Sequence, residues 1–339
     1  MANMGLGVIG LGRMGRVYAE HIARSIQGGD LVAVADPFEE VAHTFVSQLD
    51  GVTAYTRYED LLEDATVEAV VVATPTRTHQ EVVIAAAAAG KHIFCEKPTA
   101  LTLAATDEMI EAVEGAGVLF QVGFMRRFDA AHAAAKQQIE NGVIGQPVMV
   151  RSIGRDPSRT SLEYAKPENS GGLIVDMGIH DFDLVRWFMG DEIERVYTET
   201  ASLVYPELLD VNDVDTALIS LRLANGGLGN IEVSRTAIYG YDIQCNIVGT
   251  EGALQVGYLQ QTPLLTLTKT GVMHDVVPAF PERFGPAYTA QIEHFVDCVL
   301  NEDMPAVTHT DARAALQASL AARQSQLIGE VVYIDKDRP

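Results

Sequence analysis

Three side chains in this 339-residue sequence have types and settings suited to proton chemistry on a hydroxyl group: Lys97, Asp176 and His180. Lys97 stands in FCEKP at 94–98, directly after an apolar run. An ordinary turn there needs neither the Glu96 carboxylate nor the Lys97 ammonium. Asp176 and His180 lie four residues apart in GGLIVDMGIHDFDLVRWFMG at 171–190. One helix over 173–188 puts them on a single face about 6 Å apart at Cβ, with Asp183 on roughly the same face. Histidine titrates near neutrality and takes a proton. Aspartate orients the imidazole and stabilises its charged form. An ammonium beside the oxygen favours developing negative charge and relays the proton. Two duller readings stand beside this one. The Asp–His pair could be helix-internal, contributing only roughly 0.2–0.5 kcal/mol. It could also supply two metal ligands, but no third ligand has matching spacing and Lys97 would be a poor neighbour, so no metal is expected.

The elements that must hold these residues begin at the N-terminus. GLGVIG at 5–10 reads as a strand, GLGRMG at 10–15 as a turn, RMGRVYAEHIARSIQ as a helix, and LVAVAD as a second strand ending at Asp36. This is the order of a Rossmann dinucleotide-binding unit. Gly10 permits the turn, Gly12 the approach of a pyrophosphate, and Gly15 close helix–strand packing. Arg13 and Met14 follow in the loop, at the helix N-terminus that receives the phosphates. Asp36 suits the two hydroxyls of an adenine ribose and opposes a 2′-phosphate, which favours NAD over NADP.

The alternation continues through VEAVVVAT at 67–74, PTRTH at 75–79, an alanine-rich helix, HIFCEKP and VLFQVGF. Six parallel strands are expected, with ligands beyond their carboxyl ends. Thr74, Pro75, His79, Glu96 and Lys97 fall at such ends and are expected on the cofactor side, although His79 could merely cap the next helix. After a helix at 126–141 the sequence becomes strand-rich, with NGG at 225–227 as a hairpin signal. Helices are expected at 285–302 and 310–325, returning toward the first domain. The expected class is α/β: an N-terminal Rossmann domain over 1–124, then an α/β domain over 125–339 with a large, mostly antiparallel sheet for substrate binding and oligomerisation.

Composition narrows the partners. With 46 acidic against 24 basic residues, the net charge is -22, which repels phosphate backbones and argues against nucleic acid. The longest apolar run, at 82–90, falls short of the roughly 20 residues that span a bilayer, and no leader pattern opens the chain, so no membrane is expected. Cys95, Cys245 and Cys298 are widely spaced and form no disulfide framework. A reducing cytoplasm fits.

Together GLGRMG, EKP within FCEKP, and DxxxH within GGLIVDMGIHDFDLVRW resemble the glucose–fructose oxidoreductase, inositol dehydrogenase and rhizopine-catabolism (Gfo/Idh/MocA) family over almost the whole chain. Its inositol-oxidising members are the nearest in pattern, through NSGGLIVDMGIHDFD, VNDVDTALISLRLANG and SRTAIYGYDIQCNIVGTEG. That resemblance implies catalysis by Lys97, Asp176 and His180. It implies substrate contacts by the same three with Tyr239, Arg127 and Asp156, and reading of hydroxyls by the loop at 154–164. It implies oxidation of a ring hydroxyl, myo-inositol to its 2-keto inosose, with NAD reduced. Scyllo-inositol or a pyranose sugar is the alternative, and a nucleotide-binding sensor without turnover is the alternative of another class. It also implies a homotetramer, or a dimer, joined through an open sheet.

Overall fold

An unbroken apolar strand needs cover on both faces, and in the computed structural model the first strand, β1 (Met4–Ile9), is buried at every position. The structure describes residues 3–257 and 259–334. After β1 come α1 (Arg13–Ser25), β2 (Gly29–Ala35), α2 (Glu39–Val46), β3 (Thr53–Tyr55), α3 (Tyr58–Glu63), β4 (Ala69–Val72), α4 (Thr76–Ala88), β5 (His92–Cys95), α5 (Leu103–Ala116) and β6 (Phe120–Val122). The six strands pair in parallel in the order β3-β2-β1-β4-β5-β6. The chain reverses its direction of winding between β1 and β4, the place where such sheets open a crevice for ligands. Each fully buried Val or Ile, such as Val8, Val71 and Ile93, contributes roughly 1.5–3 kcal/mol relative to exposure.

Two compact units result. Among the described residues, one holds 3–125 together with Pro286–Arg313, and the other holds Arg126–Gly285 together with 314–334. In the second, a 3-10 turn (Met125–Phe128) precedes α6 (Ala130–Glu140). The helix expected from 126 therefore starts later, because the Asp129 side chain accepts from the His132 N–H and caps it. Then come β7 (Pro147–Arg155), the short helices α7 (Leu162–Ala165), α8 (Pro167–Ser170) and α9 (Gly172–Asp176), α10 (Ile179–Met189), β8 (Ile193–Ala201), β9 (Thr216–Leu223), β10 (Leu228–Ser234), β11 (Asp242–Gly249), β12 (Ala253–Val256), the hairpin β13 (Leu265–Thr268) with β14 (Gly271–His274), α11 (Phe280–Asn301), α12 (His309–Ile328) and β15 (Val332–Tyr333).

The larger sheet runs β12-β11-β7-β10-β9-β8-β15. Only β7 and β10 pair in parallel; the other neighbours are antiparallel. Along β9, Ala217, Ile219, Leu221 and Leu223 are buried while Leu218 and Ser220 are exposed, the period of a sheet with one covered face. The Asn225–Gly227 turn joins β9 to β10, with Gly226 at φ +94° and the Asn225 amide oxygen accepting from the Gly227 N–H at 2.8 Å. No helix among the described residues is long and apolar enough to cross a membrane.

Candidate active site

In the first unit, β1, β2, β4 and β5 deliver their next residues to one sheet edge because they are parallel. Gly10 turns the chain at φ +90°, and a Cβ there would stand 2.9 Å from the Ala73 carbonyl oxygen. A Cβ on Gly15 would stand 1.7 Å from the Gly10 carbonyl oxygen, so only glycine lets α1 lie this close. A Cβ on Gly12 would meet nothing within 4 Å. Open space over a helix N-terminus that lacks a side-chain cap fits a pyrophosphate. Arg13 is exposed and Met14 half-buried beside that space. Asp36 uses both carboxylate oxygens on the loop backbone: Oδ2 accepts from the Leu11 N–H at 2.8 Å and Oδ1 from the Phe38 N–H at 3.0 Å. It therefore braces the glycine turn at the end of β2, where a ribose would lie. These residues fit a dinucleotide.

Farther along the same edge, Thr74 is half-buried and Pro75 exposed at the start of α4. His79 is buried, with Nδ1 at 2.9 Å from the Pro98 carbonyl and Nε2 at 2.9 Å from the Thr74 carbonyl. It does not cap α4; it ties the end of β4 to the segment after β5. The Lys97–Pro98 peptide is cis. Glu96 is buried, and its Oε2 accepts from the Lys97 N–H at 3.0 Å. Lys97 itself is half-buried at the edge.

In the second unit, Asp176 and His180 do not share one helix. The backbone breaks at Met177 and Gly178: the Gly178 N–H reaches back to the Leu173 carbonyl at 3.3 Å, and the His180 N–H to the Met177 carbonyl at 3.4 Å. A Cβ on Gly178 would stand 2.4 Å from the Ile174 carbonyl oxygen, so this glycine permits the tight junction of α9 and α10. Asp176 ends α9. Its Oδ1 accepts from the Tyr164 hydroxyl at 3.2 Å and its Oδ2 from Arg235 Nη2 at 3.1 Å. Arg235 is only 1% exposed and also donates to Asp213 Oδ2 at 3.0 Å, while Asp213 Oδ1 accepts from the Leu173 N–H at 2.8 Å. Gly172, at φ +74°, makes room, since a Cβ there would stand 2.7 Å from Asp213 Oδ1. His180 is buried in the first turn of α10.

The other expected substrate residues divide. Asp183, three residues after His180 on α10, is bound by Arg127, whose Nε donates to Oδ2 at 2.9 Å, and that guanidinium also lies 5.6 Å from the Trp187 ring centre. Asp156 is half-buried, and its charge acts on Arg126 and Tyr241. The Tyr239 hydroxyl instead donates to Asp242 Oδ2 at 3.0 Å and accepts from Arg155 Nη1 at 2.9 Å. On β7, Ser152 points to α10 through its bond to Asp181. By alternation Arg155 points to the other sheet face, so the Tyr239 hydroxyl is bound there.

Sequence reasoning missed Arg235, Asp213 and Tyr164 around Asp176, and Arg126 with Asp181, paired at 2.7 Å where α10 meets β7. An arginine ending the apolar strand IEVSR was the available signal for Arg235. No group of three or more His, Cys, Asp or Glu side chains that could hold a metal ion occurs among the described residues.

Comparison with known proteins agrees with both halves. Residues 4–124 match the oxidoreductase family with an NAD-binding Rossmann fold, and residues 132–255 the GFO/IDH/MocA C-terminal domain. The chain is 39% identical over 333 residues to scyllo-inositol 2-dehydrogenase (NAD(+)) of Bacillus subtilis, covering 98% of this chain and 96% of that protein. It is 39% identical over 323 residues to myo-inositol 2-dehydrogenase of Thermotoga maritima, covering 95% and 96%. The crystal structure of scyllo-inositol dehydrogenase from Lactobacillus casei with bound NAD(H) and scyllo-inositol superposes with a TM-score of 0.93 at 30% identity, covering 98% and 99%.

Proposed function

Because the chain belongs to the GFO/IDH/MocA oxidoreductase family, we propose that its substrate is scyllo-inositol, oxidised at one ring carbon to the inosose, with myo-inositol second. At the coarser level it is an NAD-dependent dehydrogenase acting on a ring CH–OH group of a cyclic polyol. The observation that carries the finer reading is the 39% identity, over 98% of the chain, to the B. subtilis protein named for scyllo-inositol. The sequence alone put myo-inositol first, and the equally identical T. maritima protein keeps it second. The two epimers give the same inosose when the carbon at which they differ is oxidised. They present that carbon's hydrogen in opposite orientations, so a site built around the remaining hydroxyls separates them.

In this reading Lys97, Asp176 and His180 serve one hydroxyl. NAD, when bound, supplies the hydride acceptor. Gly10, Gly12, Arg13, Met14, Gly15 and Asp36 hold its phosphates and adenosine; Thr74, Pro75 and Glu96 border its nicotinamide half, with His79 supporting them from behind. Lys97 stabilises negative charge developing on the hydroxyl oxygen, and His180 takes the proton. Asp176 stabilises the charged imidazole, and Arg235 and Tyr164 hold the carboxylate in place. Arg127 and Asp156 border the polyol, whereas the Tyr239 hydroxyl is held by Arg155 and Asp242 on the sheet face away from α10. Assembly is as a homotetramer, a reading supported by Met149, Leu218 and Leu228, which are 46–50% exposed on the uncovered face of the large sheet.

The test is NADH formation by purified protein with scyllo-inositol, myo-inositol, D-chiro-inositol or glucose. For scyllo-inositol kcat/KM should exceed that for myo-inositol by about tenfold or more. Preference for myo-inositol returns that epimer to first place; turnover of glucose alone overturns the inositol reading.

A further inference from the structure

We infer that Tyr18 is a positioning residue for Lys97, acting through the Glu96 carboxylate. The inference rests on the catalytic reading of Lys97 given above. Tyr18 is fully buried on α1, the helix that starts at the glycine turn. Its ring packs edge-on against Phe94 at 5.3 Å and Tyr288 at 6.0 Å between centres. A phenylalanine would make both contacts, so packing does not account for the hydroxyl.

The hydroxyl lies in a chain of hydrogen bonds whose direction is fixed. It meets Glu96 Oε1 and Gln291 Nε2, the latter at 2.7 Å. A carboxylate only accepts, so Tyr18 gives its proton to Glu96, and Gln291 is the donor to the phenol oxygen. Gln291 is anchored in turn, its backbone carbonyl accepting from Gln121 Nε2 at 2.8 Å. The other oxygen of Glu96 accepts from the Lys97 N–H. The carboxylate therefore bridges the helix that begins at the glycine turn and the backbone of the lysine. Gly123 leaves it room, since a Cβ there would stand 3.1 Å from Glu96 Oε1. Burial, and then the Glu96 charge, push the Tyr18 hydroxyl well above its ordinary range, which favours its protonated, donating form. Without that donor the buried carboxylate loses a charge-assisted bond that helps fix its orientation, and with it a restraint on the Lys97 backbone.

A double-mutant cycle on turnover tests this, with NAD and whichever of scyllo- and myo-inositol turns over faster. Tyr18→Phe should lower kcat by about tenfold while KM for NAD stays within about twofold. Placed on Glu96→Ala, where nothing remains to be positioned, it should lower kcat by no more than about twofold further. Losses that multiply in the double variant, or a Tyr18→Phe kcat within about twofold of the parent, overturn the inference. If Tyr18→Phe yields no folded protein, Gln291→Met, which removes the donor behind the phenol, replaces it in the cycle with the same criteria. Lys97→Ala is the control for the underlying reading. If it keeps turnover within about tenfold, the role of Lys97 falls; if it collapses turnover while the cycle is additive, only the role of Tyr18 falls.

Discussion

At the scale of single residues, two carboxylates are set apart by what holds them. Asp36 is gripped by two backbone N–H groups of the loop it braces. Asp36→Ala should therefore raise KM for NAD by about tenfold or more and lower the NAD-to-NADP ratio of kcat/KM, measured by steady-state kinetics with both cofactors. Asp176 shares its fully buried arginine with Asp213. Arg235→Met leaves two carboxylates without their cation and should cost about 3–5 kcal/mol in urea denaturation. Tyr164→Phe removes one bond to Asp176 from a half-exposed tyrosine, so its stability cost should stay below about 1 kcal/mol. Its effect should appear in kcat instead.

At the scale of elements, the junctions are tighter than the elements themselves. Gly15→Ala would drive a methyl group into the Gly10 carbonyl, so α1 must shift off β1. Binding of NAD, followed by titration of protein fluorescence, should weaken by about 100-fold or more. In the second unit α6 starts at Asp129, which binds His132 Nδ1 at 2.7 Å and Arg283 Nη1 at 2.6 Å. Burial pushes the Asp129 carboxyl up, but His132 and Arg283 outweigh it and hold it well below the usual range. Burial lowers the His132 value, and the bond to Asp129 only partly opposes it. A histidine neutral in the fold and protonated in the open chain loses stability as pH falls below about 6.5. A carboxylate with a depressed value contributes fully above about 4 and loses that contribution below it. Urea midpoints should thus fall in two stages on acidification, and Asp129→Asn should start lower at pH 7 and flatten the second stage.

At the scale of the whole molecule, the large sheet leaves Met149, Leu218 and Leu228 uncovered among charged neighbours such as Arg151. If that face joins subunits, Leu218→Glu should reduce the mass measured by light scattering below that of the parent protein. A parent that scatters as a monomer would overturn the assembly reading instead. The charge of -22 makes non-specific self-association without such a face unfavourable.

Much of the first unit was legible because its signals are local. Turn, helix N-terminus and acid follow one another within 36 residues, and each requires a backbone shape that only certain residue types adopt. Six strands were expected, but the position of β3 was not assigned because three residues carry no period. The α9–α10 break escaped because helical spacing in DMGIH looks continuous until the packing of Gly178 on Ile174 is known. The dinucleotide half, the strand-end placement of Lys97 and the family all follow from local patterns of residues. Packing between elements sets the rest: Arg235 holds Asp176 across 59 positions, Asp183 belongs to Arg127, and Tyr18 meets Glu96. A buried charge takes whichever partner the packing brings within about 3 Å, and that choice is made between elements, where sequence spacing carries no information.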